Sequence, residues 1–401
     1  MAEVEKSPDP GGRIPSSARR LTVSAWAGMF VFGIVMAVLG AILPELFRKV
    51  GFSKGEAANL FLVMNFAMLV MSFLFGPFVD RFGFKKLLVI SSLLVSLSIL
   101  SLALAGSYGF LVAAVAVLGF AGGGLNGGTN TLTSDVNPER RGAALNVLGV
   151  FFGFGALTVP FLIGMLLDNF GLGQIIYFIA GLSVIPLILF ATAVFPAAKQ
   201  AQGFPFKRAA AVAGSPVLWL GALILFFQSG NEFTVGGWIS SYLQESFGLT
   251  AAAAALSLAG YWAAIMTGRL FATRLVSLLG NTRLIMATSA AACLAAGLLR
   301  FSGSGWTVLV AAVLIGLAFA AVYPTTLAVI GGQFPELSGT AFSVALVVGL
   351  TGGMTSPWLA GKIAQTQGLR EAFIIPVIYC AAIVLLGFLL SRLQADKGSA
   401  A

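Results

Sequence analysis

The chain has 401 residues, 58% of them hydrophobic and only 9% charged, with 34 Phe, 49 Gly and a formal net charge of +9. An ordinary soluble domain carries about 25% charged residues, so this composition excludes a sizeable soluble domain and reads as an integral membrane protein. No His is present, which removes the commonest metal ligand and proton shuttle.

Residues 1–20 read as a cytoplasmic tail, disordered through its Pro, Gly and Ser content, with no apolar core before a cleavage site as a signal peptide would have. Apolar runs long enough to cross a bilayer then follow at about 23–46, 58–79, 86–106, 109–134, 142–167 and 174–195. A basic linker over 197–215 separates them from six more, at about 217–241, 252–278, 282–300, 305–331, 340–366 and 371–391, before a short tail over 393–401. The runs are continuous and contain Gly and Pro, as membrane helices tolerate, and they lack the short alternation of barrel strands. The expected fold is all-α, with twelve transmembrane helices in two six-helix bundles over 21–196 and 216–392.

Lys and Arg gather on one set of loops. With the N-terminus inside, 17 of them fall on the cytoplasmic side and 6 on the other, so both termini are expected to be cytoplasmic in a multi-pass protein of the cell (inner) membrane. The net positive charge follows from this bias and from the anionic inner leaflet, and it gives no reason to expect nucleic acid. Cys293 and Cys380 read as small packing residues, with no disulfide and no metal site.

The chain repeats itself internally. "PERRGAAL" at Pro138 and "PELSGTAF" at Pro335 lie 197 positions apart, and Gly155, Pro160 and Gly164 meet Gly352, Pro357 and Gly361 at that same offset. A looser match pairs "GPFVDRFG" at Gly76 with "GRLFATRL" at Gly268, at an offset of 192. Duplicated six-span halves are the plan of a transporter with a central site between bundles.

The loop "GPFVDRFGFKKLL", Gly76 to Leu88, resembles the signature loop of the major facilitator superfamily, and with the duplicated spans the resemblance covers essentially the whole chain. It implies that Gly76 and Gly83 permit a tight turn. It also implies that Asp80 and Arg81, together with Glu139 and Arg140, form a cytoplasmic latch that breaks when that side opens.

Within the superfamily, Gly122 to Gly164 is similar to the fucose:proton symporter family and its sodium-dependent glucose transporter relatives. That family's acids in the first and fourth spans fall near Gly40 and on Asn126, so both are missing here, while its fifth-span Asn matches Asn146. Amides that donate and accept at once suit a sugar's hydroxyls, so Asn126, Asn130 and Asn146, which align with the family, and Gln228 and Asn231 are the expected polar lining of a sugar site. Aromatic faces would come from Trp238, Tyr261, Trp262, Tyr323 and Trp358. The alternative for each amide is that it ties two helices together, and for each aromatic that it is packing.

Of the 14 acids, 13 lie in tails, in loops or near span ends, and only Glu232 lies deep in a span, near the bilayer midplane. A charge there costs about 2.5–3.5 kcal/mol and nearly always faces a cavity or a partner. No Lys or Arg is expected at comparable depth, so an ion pair is not the expected explanation. Glu232 is read instead as the coupling residue, taking a proton or, with oxygens such as Thr234, Asn231 or Asn126, holding Na⁺.

The expected function is secondary active transport of a small polar solute, a sugar or polyol, by alternating access coupled to H⁺ or Na⁺. Alternatives are a proton-coupled exporter of amphipathic, drug-like or lipid-like compounds, a carrier for another metabolite, and a transceptor of the same fold. No enzyme is expected, since there is neither a phosphate-binding loop ending in Lys nor a pair of deep carboxylates, and no cofactor is implied. The expected partners are the small-molecule substrate, the coupling ion and the lipid bilayer, with the chain acting as a monomer.

Overall fold

The computed structural model describes residues 16–137, 141–195, 214–334 and 338–399, and they are almost entirely helical. The first span is the helix Ser16–Val50. The second and third, Lys54–Phe75 and Phe82–Leu104, are arms of one long helix broken at Gly83, whose backbone (φ 80°, ψ 162°) is open essentially to glycine alone. The fourth to sixth spans are Tyr108–Val136, Arg141–Leu166 and Leu172–Thr192. The seventh to tenth are Pro216–Phe247, Ala251–Leu279, Asn281–Phe301 and Gly305–Gln333. Ser338–Gln367 is the eleventh, and the short helix Leu369–Ala372 leads into Ile374–Ser399 as the twelfth.

Eleven segments among the described residues are long and apolar enough to cross a membrane by length and composition. The seventh helix is long enough but less apolar, because Gln228, Asn231 and Glu232 interrupt its centre. With twelve antiparallel spans, the start of the first and the end of the twelfth lie on one face, here the terminal face; the other is the far face.

Capping chemistry sets the span ends, and it repeats. Ser53 caps the second span through a reciprocal box with Glu56, and Thr250 caps the eighth by accepting from the Ala253 N–H. Those caps are 197 positions apart, as are Gly51 and Gly248, both in the left-handed region just before them. Gly83 and Gly280 stand at the same offset with the same backbone (φ 80° and 76°, ψ 162°). This corrects the looser match at 192: the repeat runs at 197 through the signature loop, so Gly76 corresponds to Thr273 and not to Gly268. Short apolar runs slide easily against one another, whereas a glycine-only backbone fixes the register.

The halves meet through the first and seventh spans, the second and eleventh, and the fifth and eighth. The last two pairings are equivalent under the repeat. Their glycines are too: a side chain on Gly164 would strike Leu256 of the eighth span, and one on Gly361 would strike Ala58 of the second. Towards the far face, buried apolar side chains of both halves merge into one cluster that includes Leu39, Phe61, Trp238 and Ala360. Towards the terminal face, the buried clusters of the second half, around Leu218, Ile285 and Leu284, contain residues of that half only. The two halves therefore share a core at the far face and keep separate cores at the terminal face.

Candidate transport site

Glu232 lies halfway along the seventh span and is buried. Its carboxylate Oε1 is 3.6 Å from Nη2 of Arg269 on the eighth span. The expectation that no cation lies at comparable depth is thereby overturned. The eighth helix continues ten residues beyond Arg269, to Leu279, so a residue counted with the cytoplasmic loop sits inside the bundle. The signal was available, because the span expected over 252–278 already contains Arg269.

Arg269 also reaches across to the other half. Its guanidinium carbon is 5.9 Å from the ring centroid of Phe152 on the fifth span. That ring stands edge-on to Trp262, with centroids 6.4 Å apart at 84°. Gly153 lets the helices approach there, since a Cβ on it would lie 3.2 Å from Met266 Cγ. The Tyr261 hydroxyl donates to the Glu232 main-chain carbonyl at 3.2 Å. One carboxylate, one guanidinium and three aromatic rings thus meet where the halves join.

Several polar groups of this region have spare hydrogen-bonding capacity. Gln228 Oε1, Asn231 Oδ1, Thr234 Oγ1, Trp262 Nε1 and Arg269 Nε are buried with no partner among the described residues. Buried polar atoms of this kind cost stability unless something satisfies them. A site that must accept and release a proton or a solute benefits from partners that are not already engaged.

Other expected lining residues take different places. Gln228 and Asn231 are wholly buried, with their NH₂ groups donating to the Phe319 carbonyl at 3.3 Å and to Cys380 Sγ at 3.4 Å. They tie the seventh span to the tenth and the twelfth. Asn126 and Asn130 are partly exposed on one face of the fourth span, and the Asn130 amide donates to the Asn126 side chain at 2.9 Å. Tyr323, the repeat mate of Asn126, is half-buried before Pro324. Asn146's side chain lies outside the described set. So do the surroundings of Gly76, the side chains of Asp80 and Arg81, and the whole of Glu139 and Arg140.

Trp238 and Trp358 belong to the far-face seal. Trp238 is fully buried, donates to the Pro357 carbonyl at 3.0 Å and packs 5.7 Å from Phe61 of the other half. Trp358 donates to Asn59 Oδ1 at 3.1 Å, which bridges the halves directly. Nearer the far face, Lys54 and Glu245 form an inter-half ion pair at 2.6 Å. These tryptophans were expected as aromatic faces for a sugar ring; their contacts at the junction depend on how the two halves close.

The family model for the Major Facilitator Superfamily matches residues 25–304 and again 221–400. The chain belongs to the major facilitator superfamily. It is 25% identical over 409 residues to the multidrug resistance protein MdtG of Dickeya zeae (strain Ech586), covering 96% of this chain and 97% of that one. A shorter match to MdtG of Serratia proteamaculans (strain 568) reaches 30% identity over 185 residues, 45% of each chain. Among solved structures, a D-xylose-proton symporter superposes with a TM-score of 0.80 at 17% identity over 94% of this chain and 97% of that chain. That likeness shows the fold alone. As a superfamily member the chain is a multi-pass integral membrane transporter and not an enzyme, and the relatives named by sequence do not carry the finer likeness to the fucose:proton symporter family.

Proposed function

We propose that this superfamily member is a proton-coupled exporter of amphipathic compounds, working by alternating access, with Glu232 as the proton-carrying group and Arg269 as its partner. The observation that carries the reading is the Glu232–Arg269 pair set against Phe152, Trp262 and Tyr261 at the junction of the halves. Three rings around one ion pair suit an apolar or aromatic solute better than a ring of hydroxyls, since the NH₂ groups of the nearby Gln228 and Asn231 are engaged by the tenth and twelfth spans. The near full-length likeness to a multidrug resistance protein supports the same direction.

A proton fits this site better than Na⁺. The guanidinium beside the carboxylate repels a second cation, while a proton neutralises Glu232 and frees Arg269 for another partner. The arrangement with a shared far-face core corresponds to the inward-open state of the cycle, with the terminal face cytoplasmic in a cell inner membrane and one chain sufficient. Uptake of a sugar or polyol remains the second reading, favoured by the Asn126–Asn130 pair, the amides in partly exposed positions.

The test is transport in proteoliposomes under an imposed pH gradient, with a fluorescent amphipathic cation, an amphipathic acid and a labelled hexose offered separately. Gradient-driven movement of an amphipathic probe, lost in Glu232→Gln, is the expected result. Movement of the hexose alone would establish the second reading in its place.

A further inference from the structure

A cleft of about 520 Å³ opens on the terminal face between the start of the first span and the end of the sixth, far from Glu232 in the fold; Arg19, Arg20, Val23, Leu189 and Thr192 line it, with Ala193. No acid is among its lining residues. Among the described residues, none of the ion pairs includes either arginine.

The other polar groups of the cleft are already engaged. Ser24 donates to the Arg20 carbonyl at 2.8 Å and Thr192 to the Ile188 carbonyl at 2.9 Å. The carbonyl of Ala193, at the end of the sixth span, is taken by Lys85 Nζ at 3.2 Å. Lys85 thus engages a main-chain acceptor of the cleft without being one of its lining residues. Two exposed guanidiniums with free donors remain above an apolar floor that includes Val23 and Leu189.

We propose that this cleft binds the phosphate of an anionic phospholipid, with Arg19 and Arg20 on the headgroup and the acyl chains running down past Val23 and Leu189. Guanidinium groups match phosphate oxygens in pairs, and basic pockets between membrane helices take anionic headgroups. The position, at the ends of two spans, is the depth at which headgroups lie. A free phosphate shares the headgroup's charge but would gain nothing from the apolar floor.

The experiment is native mass spectrometry of the full chain released from mixed micelles of phosphatidylglycerol and phosphatidylcholine. The expected result is about a thirtyfold preference for phosphatidylglycerol, from two interfacial charges. It should be abolished in Arg19→Ala with Arg20→Ala and retained in Arg19→Lys with Arg20→Lys. Thr192→Trp, which fills the cleft and leaves every charge in place, should also lose the preference. Equal retention of both lipids by the unaltered chain, or a preference that survives both the alanine pair and Thr192→Trp, would overturn the proposal. So would displacement of the lipid by millimolar inorganic phosphate, which would mark a simple anion site.

Discussion

Gly40 of the first span and Gly237 of the seventh are repeat mates, 197 positions apart, and they lie against each other where their helices cross, Gly40 facing the seventh-span backbone and Gly237 facing Phe61. A Cβ on Gly40 would lie 3.0 Å from the Gly237 Cα and closer still to the Gly236 carbonyl. Equivalent residues touch only on the axis relating the two halves, so the pseudo-twofold axis passes through this crossing. At Gly40 the seventh helix occupies the space a side chain would need.

Gly40→Val should therefore cost about 1–3 kcal/mol of stability through overpacking against backbone that has no rotamer to yield. It should also force the far-face ends of the halves apart. Thermal unfolding reads the first effect, and the distance between spin labels on the far-face ends of the fifth and eighth spans reads the second. An unchanged melting temperature together with an unchanged distance would show that the crossing is not close-packed in solution.

The Glu232–Arg269 pair makes an asymmetric prediction. Arg269→Ala leaves a buried carboxylate with no cation and should cost about 3 kcal/mol, while Glu232→Gln keeps the side chain's shape, leaves no buried carboxylate and should cost less than about 1 kcal/mol. The double variant should recover most of the loss, giving a coupling energy above about 1 kcal/mol in a thermodynamic cycle from thermal melts. Additive losses would mean that the two side chains do not interact in the membrane.

Much of this was legible in the sequence, and the limits have physical causes. Span number, duplication and the lone deep acid follow from composition and spacing, which one-dimensional patterns carry well. The partner of Glu232 was missed because a positive-inside count assigns every Arg near a span end to a loop, whereas Arg269 lies within a long helix whose facing neighbour is the seventh span. Gln228 and Asn231 read as lining because amides suit sugars; which way a helix faces is decided by packing against the tenth and twelfth spans, and a single sequence does not encode that in its period. The contacts of Trp238 and Trp358 across the junction were not legible for a related reason, since such neighbours are known only once both halves are brought together.

At the far face, Lys54 and Glu245 join the second span to the seventh across the two halves. Both side chains are partly exposed, so the pair should add no more than about 1 kcal/mol, too little for a clear change in melting temperature. Its effect should appear in the balance of states: Lys54→Glu should shift the population towards the outward-open form by up to about fivefold, and adding Glu245→Lys should restore it. Double electron–electron resonance between labels on the far-face ends of the fifth and eighth spans measures that population. A shift that the reversed pair does not restore would assign the effect to Lys54 alone.

Gly83 and Gly280 supply a test of the repeat itself. Both hold a backbone region that side chains exclude, with φ near 80° and ψ of 162°, so alanine at either should cost about 1–3 kcal/mol. Gly149 lies inside the fifth-span helix with nothing within 4 Å of where a Cβ would sit, and alanine there should be neutral or stabilise by up to about 1 kcal/mol. Gly83 belongs to the signature loop, whereas Gly280 stands in "SLLGNTR", which has Ser277, Leu278 and Thr282 where that loop has Asp80, Arg81 and Lys85 and keeps only a basic residue, Arg283, at the position of Lys86. Similar losses of stability at both, with impaired transport only for Gly83→Ala, would separate the turn's conformational role, present in both halves, from a gating role confined to the first. Unequal stability losses would show that the two turns are not equivalent in the folded protein.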